Sequence, residues 1–229
     1  MNTTILSDIA LEFDLESLQR QLRVKNPSDA AELRRLALEA QDIARPKAAY
    51  RPVLLREVGE DSVLVDETVL SSRVLAVNLK DTHRVFLYMA TCGTELNEWA
   101  HSLSDMVHQF SAEEIKVRAL RAGMRTLNER IDLDFAPGKT TVMNPGSLAD
   151  WPLSQQRPFF VLMDDAARAL GVTLSDSCLM TPNKSVTGIR YELEGTFESC
   201  QLCPMPDCPG RRAPHDPDLY ARRYSQGNV

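Results

Sequence analysis

The sequence is short of several features, and each shortage removes a class of function. No apolar stretch approaches the roughly 20 residues that span a bilayer, so no transmembrane helix is expected. No long Lys/Arg run is present and the net charge is −6, so a basic face for nucleic acid is not expected. The pairs Arg211–Arg212 and Arg222–Arg223 read as solvated charge. There is no G-x-x-x-x-G-K-[ST] phosphate loop, no G-x-G-x-x-G and no G-x-S-x-G elbow. Histidine is scarce: His83, His101, His108 and His215 are the four, and none has metalloprotease spacing. Asp164–Asp165 and Glu113–Glu114 read as helix-surface charge, so no catalytic set emerges. The opening MNTTILSDIALEFD lacks a basic start followed by an apolar core. With five cysteines, an odd number, this points to a reducing, cytoplasmic setting without a disulfide framework.

What is present suits a globular chain. Of 229 residues, 43% are hydrophobic and 25% charged, ordinary values for a packed domain. Apolar residues Leu33, Leu36, Ala37, Ala40 and Ile43 recur at helical spacing between a Ser28 N-cap and Pro46. Four short β-type runs follow, Val53–Val58, Ser62–Val65, Val74–Leu79 and Arg84–Ala90, with Gly59-Glu60-Asp61 as a hairpin turn. After Thr91-Cys92-Gly93 the period changes. Leu96 to Phe110 forms one helical stripe, and a capping box of Ser111 with Glu114 opens a second. The turn Asn144-Pro145-Gly146-Ser147 precedes a helix from about Ser154 to Leu170, ended by Gly171. Ser185–Glu194 reads as a last strand, interrupted at Gly188. Strands and helices cluster rather than alternate, so the expected class is α+β. Three segments are expected: helical 1–45, an α+β body over 46–196 and a Cys/Pro-rich tail over 197–229.

The tail carries the sharpest motif. Cys200, Cys203 and Cys208 have the spacing C-x2-C-x4-C, with Pro204 and Pro209 stiffening the loop. Two thiolates three residues apart reach one metal from a tight turn, and a third completes most of a shell. A proline-rich segment with few large apolar residues needs something to order it, and a metal does that. The expected centre is an iron–sulfur cluster, with structural zinc as the alternative. The fourth ligand is expected from Cys178, which lies ahead of the strand leading into the loop; Cys92 and His215 are the other candidates.

Two further segments are site-like: the Pro145-Gly146-Ser147 turn, and Gly171 to Gly188 with Lys184 and Ser185 among many hydroxyls. Thr91-Cys92-Gly93, Pro145-Gly146 before a helix, and Gly171-Val172-Thr173-Leu174 through Lys184-Ser185-Val186 resemble the reactivation domain of cobalamin-dependent methionine synthase and its stand-alone relatives. The resemblance spans roughly residues 50–195. It implies a curved antiparallel sheet with helices packed around it, docked on a cobalamin-binding domain that is remethylated with S-adenosylmethionine and an electron. In that family an Arg three residues before the Pro-Gly and a Tyr just after it serve S-adenosylmethionine. Here the matching residues are Val142 and Ser147, and Val cannot bind a carboxylate. Retention of S-adenosylmethionine in that mode is therefore not expected, and the cysteine cluster has no counterpart in that domain. Together these departures imply an accessory protein of a corrinoid-dependent methyltransferase system. It would relay electrons through the cluster to a Co(II) corrinoid protein, supplied by an electron-donor protein. A zinc-stabilised docking module and S-adenosylmethionine-dependent reactivation are the alternatives. Asp81-Thr82-His83 begins the Asp-x-His-x-x-Gly pattern of corrinoid domains, but Phe86 replaces its glycine, so the chain is not expected to carry its own corrinoid.

Overall fold

A computed structural model describes residues 2–193 and 195–225. Glu194, the end of the last expected strand, and residues 226–229 of the expected tail lie outside the described residues. A short strand β1 (Thr4–Leu6) precedes helices α1 (Leu15–Leu22) and α2 (Pro27–Ile43). The cap of helix α2 lies two residues before the expected Ser28: Asn26 accepts from the Ser28 amide, and Pro27 occupies the first turn, where its missing N–H costs nothing. Strand β2 (Lys47–Leu54) begins well ahead of the expected Val53. The hairpin of β3 (Glu57–Val58) and β4 (Ser62–Val65) turns at Gly59-Glu60-Asp61 as read from sequence, and β5 (Thr68–Ser71) completes a three-stranded sheet.

The run Val74–Leu79 is not a strand. It forms helix α3 (Arg73–Leu79), opened by the Ser72 hydroxyl accepting from the Leu75 amide at 3.0 Å. Nearly every position is buried there, so polar residues never reveal a period, and short apolar runs read alike as helix or strand. Strand β6 (Arg84–Thr91) is followed by α4 (Thr94–Ser102) and the 30-residue α5 (Met106–Phe135). The expected stripe from Leu96 to Phe110 is thus broken, with Leu103 extended and Asp105 capping α5 through the amides of Val107 and His108. Ser111 and Glu114 form no capping box. Ser111 lies inside the helix and donates to the Val107 carbonyl at 2.9 Å, while Glu114 pairs with Arg118 at 3.6 Å.

Strand β7 (Thr140–Met143) leads to α6 (Gln156–Leu162) and α7 (Asp164–Leu170), a helix broken at Met163 and ended by Gly171 at φ 70°. The hairpin of β8 (Thr173–Leu174) and β9 (Met180–Thr181) precedes β10 (Ser185–Glu192), and α8 (Leu219–Arg223) lies in the tail. Gly188 does not interrupt β10.

The main sheet has the order β1-β2-β6-β10-β7, with antiparallel pairing throughout. The class is therefore α+β, as expected. One face carries Ala48, Tyr50, Phe86, Tyr88 and Ala90 against Ala122, Leu127 and Ile131 of α5. The other carries Val85, Leu87, Met89, Ile189 and Tyr191 against α3, α6, α7 and the small sheet. Helices α1 and α2 pack on α4 and α5 in a third cluster around Leu36 and Trp99. Alternation of side chains across two covered faces explains why β6 is apolar almost throughout.

Candidate functional site

The two site-like segments meet at one end of the main sheet. Strand β7 leaves the sheet there and β10 enters it, in the register Ile189 opposite Met143. Asn144 fastens the exit, donating to the Tyr88 hydroxyl at 2.6 Å and to the Thr187 carbonyl at 2.7 Å. Pro145 is buried, while Gly146 and Ser147 are exposed. The Gly146 amide donates to the Trp151 carbonyl at 2.7 Å, and Ser147 returns both its amide and its hydroxyl to the Asn144 carbonyl. Gln156 links the two segments: it accepts from the Thr187 hydroxyl at 2.6 Å and reaches the Pro145 carbonyl at 3.5 Å. Ser185 Oγ lies 2.8 Å from Thr91 Oγ1 and 2.7 Å from the Pro182 carbonyl. Burial pushes the Tyr88 hydroxyl up to about 12, the Asn144 contact pulling only partly against it, so Tyr88 stays neutral and acts as a fixed dipole.

A charged nest lies beside Ser185. Lys116 of α5 is fully buried, and its ammonium meets Glu113 at 2.5 Å, Asn183 at 2.9 Å and Asn97 at 3.3 Å. Lys184 reaches the other oxygen of Glu113 at 2.8 Å. Lys184 is thus ion-paired within the chain, and two ammonium groups over one carboxylate leave the nest a net positive charge. Burial works against the Glu113 charge, but Lys116, Lys184 and Asn183 outweigh it and hold its carboxyl down at about 2. A carboxyl lowered from its ordinary 4.5 stabilises the fold fully above that value and loses the contribution as pH falls toward about 2. The stability gap between the native chain and Glu113→Gln, read from urea midpoints, is therefore expected to be constant near neutral pH and to shrink across that acid window. Cys92 borders the same nest. Burial pushes its thiol up to about 11, with Lys116 pulling back only in part, which leaves it protonated and unsuited to metal ligation.

The tail closes into a ring. Cys200 lies in a 3₁₀ turn over Ser199–Leu202, with the Cys203 amide on the Cys200 carbonyl at 3.3 Å. Arg211 is its hub: the guanidinium donates to the carbonyls of Cys200 at 3.0 Å, Cys203 at 3.2 Å and Ala213 at 3.2 Å, and also to that of Met205. Asp216 closes the ring with its amide on the Gln201 carbonyl at 2.8 Å. The protein-borne cation thus supplies much of the order that the sequence attributed to a metal. Burial pushes the Cys200 thiol up, but the amides of Arg212 and Ala213 and the Arg212 guanidinium outweigh it and hold it below the ordinary thiol range. Cys203 and Cys208 are half-buried in the same ring. Cys178 lies elsewhere, buried in the β8–β9 turn at φ 63°. Among the described residues no three His, Cys, Asp or Glu side chains stand in metal-holding geometry. The donor chemistry nonetheless fits a thiolate-bound metal: three thiols share one ring, and the Arg212 amide already donates to Cys200 Sγ at 3.5 Å.

Beyond the ring, α8 walls a groove of about 770 Å³ whose floor includes Ser71, Ser72 and Asp150. Tyr220 reaches Asp150 at 3.3 Å, and the Arg73 guanidinium holds the Tyr224 carbonyl at 3.1 Å. A second cavity of about 240 Å³ lies between the Pro-Gly loop and the ring, lined by Leu148, Asp150, Leu202, His215 and Tyr220. Sequence reasoning missed Gln156 and Tyr88, which carry no local signal. Lys116 did carry one, a lysine on the apolar stripe of α5 beside Ile115 and Ala119.

No protein-family model matches the sequence, and no curated protein matches it. A solved structure does match, described as the crystal structure of the MetH reactivation domain bound to AdoHcy. The alignment covers 87% of this chain and 81% of that chain, with a TM-score of 0.63 and 15% identity. The fold is that of the MetH reactivation domain. At this identity the likeness concerns the fold. In the MetH-like arrangement of this chain, Val142 of β7 stands directly opposite Arg190 of β10. That guanidinium is occupied by α5, with Asn128 at 3.1 Å and Asp132 at 2.5 Å, and by Thr140 at 3.0 Å.

Proposed function

We propose that the chain is an accessory protein of a corrinoid-dependent methyltransferase system, docking on the corrinoid-binding protein and carrying a metal centre in its C-terminal ring. The observation that carries the reading is a fold shared with the MetH reactivation domain over 87% of the chain, beside a tail segment whose backbone closes between Gln201 and Asp216 and bears three cysteines. Cys200, Cys203 and Cys208 would hold an iron–sulfur cluster. When bound, such a cluster supplies a one-electron donor able to take Co(II) to Co(I), itself recharged by a low-potential electron-donor protein. The residues of the Pro145-Gly146-Ser147 turn and Lys184-Ser185 form the face offered to the partner. S-adenosylmethionine is not part of this reading, because Val142 replaces the guanidinium and Arg190 beside it is already consumed.

A second reading has its own support. Phe197 and Tyr224 are buried in the core and the ring lies between them in sequence, a placement in which zinc would stabilise a docking module without electron transfer. Anaerobic purification with visible absorbance and iron, zinc and sulfide analysis separates the two. A brown protein with iron and acid-labile sulfide that reduces a Co(II) corrinoid protein is the expected result. A colourless protein with one zinc per chain would overturn the relay and leave the docking module; no metal at all would overturn both.

A further inference from the structure

We propose that Cys200 and Cys203 form a reversible thiol–disulfide switch, oxidised by small-molecule disulfides and reset by thiols. Local backbone geometry carries it. The Gln201 amide bonds the Glu198 carbonyl at 2.8 Å, and the Cys203 amide bonds the Cys200 carbonyl at 3.3 Å. In such a 3₁₀ turn, side chains three residues apart eclipse one another. A turn closed this way also holds its first and fourth Cα atoms within about 7 Å, which is the reach of a disulfide. The two cysteines thus share one face of one turn.

The turn stands without any bond between them. A capping box closes its start, with the Gln201 side-chain oxygen accepting from the Glu198 amide at 2.9 Å. Arg211 holds the carbonyls of both cysteines, at 3.0 Å and 3.2 Å. Pro204 follows directly and keeps Cys203 extended, at φ −94° and ψ 116°, so the turn stops there. Both thiols are half-buried, within reach of a small molecule. The other cysteines lack this placement. Cys208 lies outside the turn, beyond Pro204 and Pro206, and its carbonyl takes the Arg211 amide at 3.1 Å. Cys92 and Cys178 are buried.

The exchange runs in two displacements. One cysteine thiolate attacks a sulfur of the small disulfide, whose S–S bond breaks and whose other half leaves as a thiolate. The second cysteine thiolate then attacks the protein sulfur of the mixed disulfide and expels the remaining half. Two electrons and two protons pass from the dithiol to the small disulfide, which becomes two thiols. The inference stands apart from the metal reading but bears on it. A Cys200–Cys203 disulfide withdraws two of the three tail thiols from any centre there.

The test uses the full chain, stripped of metal with a chelator, reduced, and equilibrated anaerobically with reduced and oxidised glutathione. Free thiols are then alkylated and the peptides mapped by mass spectrometry. The expected product is an intramolecular Cys200–Cys203 disulfide, in more than about tenfold excess over mixed disulfides with glutathione, since the second thiol is already in place. Cys92 and Cys178 should remain thiols. Cys208→Ser should leave the product unchanged, whereas Cys203→Ser should stop at the mixed disulfide on Cys200. A disulfide from Cys208 to either partner, mixed disulfides alone in the native chain, or linked dimers would overturn the switch. Zinc uptake keeps the two readings apart. Uptake by the reduced chain with no Cys200–Cys203 disulfide sinks the switch and spares the metal centre. The disulfide without uptake by the reduced chain upholds the switch and removes the metal centre.

Discussion

Gly188→Ala is expected to lower the stability of the chain by about 3 kcal/mol, the upper end of the range for overpacking a core. The added Cβ would lie 2.5 Å from Asn144 Nδ2, 2.6 Å from the Met143 carbonyl oxygen and 2.6 Å from the Tyr88 hydroxyl. None of these atoms is the free end of a flexible side chain. Met143 O is backbone in the neighbouring strand, and the other two are hydrogen-bonded to each other. Relief on one side therefore requires β7 to move away from β10, and the Pro145-Gly146 turn moves with it. A urea midpoint that falls with an unchanged m-value would report this loss. A midpoint within about 0.5 kcal/mol of the native chain, the ordinary range for surface changes, would show that β7 has slack and that the turn is not positioned by this contact.

The second large effect is expected at the charged nest. Glu113→Ala removes the carboxylate from a lysine with no solvent exposure, and breaking a buried pair costs about 3–5 kcal/mol. Asn97 and Asn183 still face Lys116, and Glu113 itself is 41% exposed, so the lower end, about 3 kcal/mol, is expected. Glu113→Gln retains an acceptor and should cost less. The double variant Glu113→Gln with Lys116→Met removes both charges and should recover much of the loss, because the expense lies in the unpaired ammonium rather than in the absent bond. Equal costs for the double variant and Glu113→Ala would place the effect in packing instead. Since Lys184 shares the same carboxylate, Glu113→Ala should also remove the anion facing its ammonium and, under the proposed function, change the affinity of this face for the corrinoid-binding protein.

Much of the architecture could be read from periodicity. Helix α2, the Gly59-Glu60-Asp61 hairpin, the Gly171 stop and strand β10 each announce themselves through a local feature, whether an apolar stripe, a turn residue or an alternation. Helix α3 does not, because complete burial erases the polar residues that define a period. The start of α5 was misplaced because Met106, Val107 and Phe110 are apolar yet exposed, so the stripe ran past the true boundary at Asp105. Gly188 reads in sequence as a strand breaker and is in fact the residue that lets two neighbouring strands close on β10. Site legibility follows the same division. Pro145, Gly146, Ser147, Lys184 and Ser185 stand out as unusual residues in a row, and the fold brings them to one end of the sheet. Gln156 joins them only because α6 returns across that end, which depends on long-range packing. The separation of Cys178 from the other three cysteines is equally long-range: it follows from the β8–β9 turn, which the chain order alone does not display.

The path of the tail has a consequence for how copies of this protein meet. Strand β7 ends the main sheet on one side, and a terminal strand with free amides and carbonyls invites another strand to add to it. Here the Thr141 hydroxyl bonds the Phe197 carbonyl at 2.8 Å, and Ser199 reaches the Val142 carbonyl at 3.3 Å. The tail therefore lies along that border through side-chain bonds, without forming a ladder that could itself be extended. On the far side β1 spans only three residues, too short to recruit a neighbour firmly. The segment that leads into the ring thus also covers the outer edge of β7, and a change that lifts Phe197 or Ser199 away would uncover backbone groups to which another strand could add.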